Sequence, residues 1–283
     1  MTTTRVVAGI DGSPAAEAAI SWAAREARSR NAELGLVHAF VWPMFHVPLG
    51  ASDCAPGLRA AADRIVHESI ELAHKLEPGL TVDGTRKDGF PSPVLIRASE
   101  LAALLVIGTR GLGVTLGALV GSTGLDLVAN AHCPVVVVRP DRAGESGTRV
   151  VVGYDGSSAG SMALDFGLDY ARRHGLAVRV VAAQPLHTDR DPVTDAELAT
   201  EVHSRDGGKD AELVRVEGHP AEQLLRMSAD ARLIVLGSRG RGGFAGMLLG
   251  SVSQAVLQHA DCPVAVIPAA AIRGRPRDLA TSG

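Results

Sequence analysis

The chain has 283 residues, 46% apolar and 21% charged, with a formal net charge of −3 at pH 7. A length near 300 favours two domains over one, and the apolar content excludes general disorder. The slight acidity provides no basic field for a nucleic-acid backbone, so that class of function is disfavoured.

Taken in chain order, the first element is a strand over Val6–Ile10, which runs into Asp11-Gly12-Ser13. Ser13 is a good N-cap and Pro14 suits a first helical position, with Ala15, Ala18, Ala19, Trp22 and Ala23 on one apolar face of the helix that follows. Further strands are expected at Leu34–Phe40, Thr81–Arg86, Leu104–Gly108 and Val135–Val138, with helices between them. Short β-branched runs alternating with helical patterns are the signature of parallel βαβ units with helices on both faces. The stretch from Asp141 to Thr148 is small and polar, as linkers are.

The chain then repeats itself. Arg5-Val-Val-Ala-Gly-Ile-Asp-Gly-Ser13 returns as Arg149-Val-Val-Val-Gly-Tyr-Asp-Gly-Ser157, an offset of 144. Gly108-Thr-Arg-Gly111 with Gly121-Ser122 returns as Gly237-Ser-Arg-Gly240 with Gly250-Ser251, an offset of 129. The second copy is therefore shortened in its middle, between Ala183 and Gly218, and its second helix, around Asp195 to Arg205, reads as short and polar. The expected division is 1–143 and 144–270, with a loose tail over 271–283.

The glycine blocks carry the chemistry. Gly108 and Gly237 each end an apolar strand, while Ser122 and Ser251 stand where a helix begins. A helix start offers unpaired N–H groups and a partial positive charge to a phosphate, and glycine lets consecutive amides turn toward an anion and lets it come close. The candidate loops are Gly108, Thr109, Arg110, Gly111, Leu112, Gly113 and Val114, closed by Gly121, Ser122 and Thr123. In the second copy they are Gly237, Ser238, Arg239, Gly240, Arg241, Gly242 and Gly243, closed by Gly250, Ser251, Val252 and Ser253. Arg110 and Arg239 would supply positive charge. The other half of each site is the end of the first strand: Gly9, Asp11, Gly12 and Ser13, then Gly153, Asp155, Gly156 and Ser157. If the first and fourth strands are neighbours, both motifs face one crevice at the topological switch point, where ligands bind in doubly wound sheets. The plainer alternatives are that these glycines are turns and caps, and that Asp11 and Asp155 only orient the next helix. No Gly-Lys-Ser/Thr of a Walker loop and no dinucleotide G-x-G-x-x-G is present.

The pattern Gly108-x-x-Gly111, nine residues, Gly121-Ser122, and its second occurrence at Gly237-x-x-Gly240, nine residues, Gly250-Ser251, resembles the ATP-binding signature of the universal stress protein family. The resemblance runs from the first Val-Gly-Ile-Asp-Gly-Ser-like segment to Cys262-Pro-Val-Ala-Val-Ile267. It implies two tandem, doubly wound, Rossmann-like α/β domains with five parallel strands each, and two ATP sites, usually with magnesium. It also implies that Asp11 and Asp155 face the adenosine end, that the backbone at Ala39 and Ala183 meets the adenine, and that the glycine-loop amides with Ser122 or Ser251 hold phosphates. Pairing through the last strands, Val135–Val138 and Val264–Ile267, and a further homodimer of tandem chains come from the same resemblance, as does a role in stress or growth control through an unidentified regulatory protein.

Other constellations carry less. His67 and His74 lie on one helix without a completing carboxylate cluster, and no H-E-x-x-H appears, so no protein-ligated metal is expected. Cys133 and Cys262 are repeat-equivalent and precede apolar strands, as small buried side chains do. With Cys54 they form neither an even framework nor a C-x-x-C pair, which points to the cytoplasm. Apolar runs such as Leu101 to Ile107 are too short to cross a bilayer, and no secretory signal is read. No G-x-S-x-G nucleophile is found, and catalytic residues are not assigned. A slow ATPase or a nucleotide-transferring enzyme of a related α/β class is the alternative to a binding module; a pseudo-dimer with relic sites is a third.

Overall fold

A computed structural model describes residues 4–42, 54–109, 120–140, 147–184, 194–240 and 249–273. The first half runs β1 (Arg5–Ile10), α1 (Pro14–Arg30), β2 (Glu33–Phe40), α2 (Cys54–Leu76), β3 (Val82–Asp88), α3 (Pro91–Ser99), β4 (Leu104–Gly108), α4 (Ser122–Asn130) and β5 (Val135–Val138). The second half runs β6 (Arg149–Gly153), α5 (Ser158–His174), β7 (Ala177–Gln184), α6 (Asp195–His203), β8 (Glu212–Glu217), α7 (Pro220–Arg226), β9 (Ala231–Gly237), α8 (Ser251–His259), β10 (Val264–Ile267) and α9 (Ala269–Arg273). The five strands expected in the first half are present within two residues at each end. The last helix, α9, runs into the stretch expected to be tail.

Each half is a five-stranded parallel sheet, and the two join into one ten-stranded sheet of order β3-β2-β1-β4-β5-β10-β9-β6-β7-β8. The junction is antiparallel, with Val137 opposite Val264, Val136 opposite Ala265 and Val135 opposite Val266. Val136 and Ala265 are themselves repeat equivalents, so the pseudo-twofold axis relating the halves passes through their pairing. Both strands are buried along their whole length, which explains why Val-Val-Val-Val and Val-Ala-Val-Ile carry no polar alternation: each is a central strand with a covered ladder on both sides.

Helices cover both faces. On one, α1, α2, α5 and α6 pack against Val6, Ala8, Ile10, Leu104 and Val106, and against their counterparts Val150, Val152, Leu233 and Val235. That apolar cluster is continuous across the junction. On the other face α3, α4, α7 and α8 cover Val7, Leu105, Ile107, Val151 and Ile234. Cys133 and Cys262 lie in this second layer, and burial pushes both thiols up to about 12, so they stay protonated at neutral pH.

The halves also meet through their first helices. The rings of Trp22 and Tyr170 stack with planes 1° apart and centroids at 5.9 Å, and the Arg30 guanidinium lies 5.5 Å from the centre of the Phe166 ring. Between them sits Glu26, 1% exposed, whose carboxylate receives Arg30 Nε at 2.6 Å, Arg173 Nη1 at 2.8 Å and contacts His174 Nε2 at 2.9 Å. Burial alone would raise the Glu26 pKa, but the His174 hydrogen bond and the charges of Arg30 and Arg173 outweigh it and hold the carboxyl below its ordinary value.

Candidate functional site

In each half the first and fourth strands are neighbours. Val6, Val7 and Ala8 pair with Leu104, Leu105 and Val106, and Val150, Val151 and Val152 pair with Leu233, Ile234 and Val235. The strand order reverses there, since β1 is followed by β2 on its far side while β4 leads toward β5. The carboxyl ends of β1 and β4, and of β6 and β9, therefore open into one crevice per half.

The first wall of the crevice is the turn from β1 into α1. Gly12 has φ +78° and Gly156 φ +73°, a left-handed backbone that favours glycine. Ser13 N donates to Asp11 Oδ1 at 3.0 Å, and Ala16 N donates to Ser13 Oγ at 3.2 Å. The second copy repeats this: Ser157 N donates to Asp155 Oδ1 at 3.0 Å, Ser157 Oγ donates to the same oxygen at 2.6 Å, and Gly160 N donates to Ser157 Oγ at 3.0 Å. One carboxylate oxygen of each aspartate thus shapes the turn, and each serine hydroxyl caps its helix. Replacing Ser13 by alanine is expected to cost about 1 kcal/mol of stability in chemical denaturation, with ligand affinity in the first half unchanged, because its hydroxyl serves the helix.

The second wall is the glycine loop. Thr109 N donates to Val138 O at 2.9 Å, and Gly121 N donates back to Thr109 O at 3.2 Å. In the second half Ser238 N donates to Ile267 O at 2.8 Å, and Gly250 N donates to Ser238 O at 2.8 Å. Each loop is therefore pinned at both ends by equivalent bonds, although it leaves and re-enters the fold with different sequences. Gly121 and Gly250 are N-caps without side-chain hydrogen bonds, and Ser122 and Ser251, both exposed, are the first residues of α4 and α8. Their amides and the next ones, at Thr123 and Val252, belong to the turn that has no intrahelical acceptor. Arg110, Gly111, Leu112, Gly113 and Val114, and Arg241, Gly242 and Gly243, lie outside the described residues.

The two walls touch in the second half. A Cβ on Gly240 would stand 2.5 Å from Asp155 Oδ2, so the loop backbone rests on the carboxylate oxygen that the turn does not use. Arg239 belongs to this corner as well, and among the described residues its Nε is buried without a hydrogen-bond partner.

Several of these glycines also serve packing. A Cβ on Gly108 would fall 2.5 Å from Ala15 O, and one on Gly237 2.6 Å from Ala159 Cβ. The missing side chain lets the first turn of α1 or α5 settle onto the end of β4 or β9. A Cβ on Gly9 would fall 3.0 Å from the Leu95 side chain and one on Gly153 would collide with Leu236, so both glycines also make room for packed side chains. Ser253 donates its hydroxyl to Gly237 O at 2.7 Å and is buried, which fastens α8 to the end of β9.

At the far side of each crevice the second strand ends. His38 is buried and its Nδ1 lies 2.8 Å from Ile10 O, so Nδ1 carries the proton and ties β2 to the tip of β1 just before Ala39. Ala183 lies at the end of β7, opposite Val216. The halves differ above these strand ends. In the first, Ile65 of α2 packs 3.3 Å from where a Gly12 Cβ would be. In the second, α6 is nine residues long and polar: Glu201 accepts from Ser161 Oγ at 2.8 Å and from Arg205 Nη2 at 2.8 Å, and Arg205 Nε donates to Asp165 at 2.7 Å. α6 thus adds an ion-pair network beside its buried Leu198 and Val202. The hydrogen bonds from Arg205 and Ser161 lower the Glu201 pKa.

Among the described residues, no group of three or more His, Cys, Asp or Glu is placed to hold a metal, and no helix is long and apolar enough to cross a membrane.

A sequence profile described as the universal stress protein family matches residues 2–139 and 147–268. Universal stress protein Rv1996 of Mycobacterium tuberculosis is 35% identical, the match covering 92% of this chain and 94% of that protein. Universal stress protein Rv2623 of the same species is 36% identical, covering 92% and 95%. In fold, the chain is similar to the crystal structure of a universal stress protein from Archaeoglobus fulgidus, with a TM-score of 0.73 at 20% identity over 95% of this chain and 99% of that one. With a profile match to each half and relatives at 35% and 36% identity covered over 94% and 95% of their length, the chain belongs to the universal stress protein family.

Proposed function

We propose that each half binds ATP in the crevice between the β1/β6 turn and the glycine loop, and that the chain works as a nucleotide-dependent regulatory module. The observation that carries this reading is the pairing, twice over, of a helix start free of side-chain caps with a strand-borne aspartate at a switch point. Polyphosphate is the ligand class that suits amides, a partial positive helix end and an arginine Nε lacking an acceptor. Asp11 and Asp155, with the backbone of Ala39 and Ala183, would lie toward the nucleoside.

Magnesium fits this donor set. The ion keeps several waters and takes most other ligands from phosphate oxygens, so it needs one or two protein oxygens and no carboxylate cage. The exposed hydroxyls of Ser122 and Ser251, at the phosphate end, would be those oxygens, and the ion would neutralise phosphate charge. Among the described residues, the crevice carboxylates of Asp11 and Asp155 each hold a turn amide, an arrangement that suits a binding module. The reading includes a cytoplasmic location, in keeping with unpaired buried thiols, a homodimer of tandem chains, and an unidentified regulatory protein partner.

Denaturing the purified chain and identifying the released small molecules tests this directly. Two equivalents of ATP per chain are expected. ADP accumulating steadily on incubation would move the reading to the slow ATPase, and no released nucleotide together with no thermal shift on adding Mg-ATP would overturn it.

A further inference from the structure

The two helices that begin at the glycine loops, α4 and α8, are repeat equivalents of nine residues each, but their carboxyl ends are held in different ways. The last carbonyls of a helix lack an intrahelical donor and carry a partial negative charge, so a cation or a side-chain donor placed there steadies the helix. Near the end of α4 the donor is the helix's own Asn130, whose Nδ2 donates to Asp126 O at 3.1 Å and to Asp126 Oδ1 at 2.8 Å. The repeat equivalent of Asn130 is His259. At the end of α8 a donor comes from the other half of the chain: Arg139 Nη2 donates to Leu257 O at 3.1 Å and to Gln258 O at 2.7 Å.

The antiparallel junction is what carries Arg139 there. It directly follows β5, whose carboxyl end lies beside the amino end of β10, and α8 is the element before β10. The pseudo-twofold axis brings residue 268 toward the end of α4 in the same way, and that residue is a proline, which has no side-chain donor. α9 packs against α4 instead. The arginine grip is therefore one-sided, and the first half shows that the fold does without it.

A nine-residue helix is about 13 Å long. The first turn of α8 is tied down by Gly250 N on Ser238 O at 2.8 Å and by Ser253 Oγ on Gly237 O at 2.7 Å. Arg139 ties down the last turn. Together these bonds fix the helix axis, and with it the direction in which the amides of Ser251 and Val252 open into the second crevice.

We propose that Arg139 is a positioning residue of the second crevice: it touches no ligand, but from the first half it aims α8 at the nucleotide phosphates. The inference rests on the reading of the crevices as ATP sites. Hydrogen bonds weaken steeply as the N–H direction departs from the acceptor, so a small tilt of α8 is enough to lower affinity. The cation also offsets the negative end of the helix, which otherwise opposes an anion bound at the other end. The second crevice thus reaches full affinity only with a residue lent by its neighbour, whereas the first ends its helix with its own Asn130.

The test is calorimetric titration of the nucleotide-free full chain with Mg-ATP in two backgrounds. Gly111→Val, at the repeat equivalent of Gly240, leaves the second crevice to be measured, and Gly240→Val leaves the first. Arg139→Met is expected to weaken binding roughly fivefold or more in the Gly111→Val background, and by less than about twofold in the Gly240→Val background. Retained first-site binding in the latter shows that the chain is folded. Arg139→Lys keeps a cation at the end of α8 and is expected to recover most of the lost affinity. Equal weakening in both backgrounds marks a merely structural role and overturns the proposal, as does second-site affinity unchanged by Arg139→Met. Stoichiometry keeps the two readings apart. Two equivalents of nucleotide in the parent with no site-selective loss in Arg139→Met overturn this inference alone, whereas no binding in any chain overturns the ATP reading and this inference with it.

Discussion

Replacing Glu26 by alanine is expected to remove on the order of 3–5 kcal/mol of folding stability, the usual cost of breaking a buried ion pair from one side. The carboxylate is 1% exposed and receives charged donors from both halves, Arg30 from α1 and Arg173 from α5. Its removal leaves those cations facing one another, with Asp169 at 3.0 Å and the Ser29 hydroxyl at 2.8 Å still on Arg173. Arg30 Nη2 is already buried without a hydrogen-bond partner, so the site has little reserve. Urea unfolding of the variant against the parent measures the loss; a change below about 1 kcal/mol would mean that water reaches the cluster. Glu26→Gln keeps the shape and is expected to fall between the two. Acid gives an independent check. The folded-state pKa of Glu26 is depressed, so its contribution is present above the ordinary carboxylate range and is lost as pH falls through the lower folded value. The parent is therefore expected to lose more stability between neutral pH and pH 3 than Glu26→Gln does.

The second large effect is expected at Gly240. A Cβ there would lie 2.5 Å from Asp155 Oδ2, so valine must lift the loop from the carboxylate and turn its amides away from the crevice. Loss of two charge-assisted hydrogen bonds corresponds to about 100-fold or more in affinity. Released nucleotide is expected to fall from two equivalents per chain to one, with the melting temperature of the nucleotide-free chain little changed because the loop is peripheral. Undiminished stoichiometry in Gly240→Val would count against a nucleotide in the second crevice. It would say nothing against the first, which makes the variant a probe of one site at a time.

The two effects differ in how visible they were in the chain itself. The loop glycines, Asp155 and Ser251 stand out because a second copy at fixed spacing repeats them, and repetition is a local property of the text. Glu26 has no such signal in isolation: it follows Ala23, Ala24 and Arg25 and reads as one more solvated charge on a helix. Laying the repeats over each other shows that Glu26 takes the place of Tyr170 and Arg30 that of His174. Charges that differ between equivalent positions mark a surface that the two copies do not use in the same way.

The sequence alone determined the strands, because apolar runs of strand length bounded by glycine and proline leave few alternatives, and the Ser13 cap, because capping depends on residues three apart. It also located both glycine loops beside a strand-end aspartate. Only the tertiary structure decided that α1 and α5 pack closely on Gly108 and Gly237, that the Ser253 hydroxyl bonds Gly237 O, and that Glu26, Arg173 and His174 converge at the seam. Those outcomes depend on which residues meet across 16 to 148 positions of chain, and such meetings are set by the pairing of β5 with β10 and the packing of α1 on α5, which no local pattern encodes.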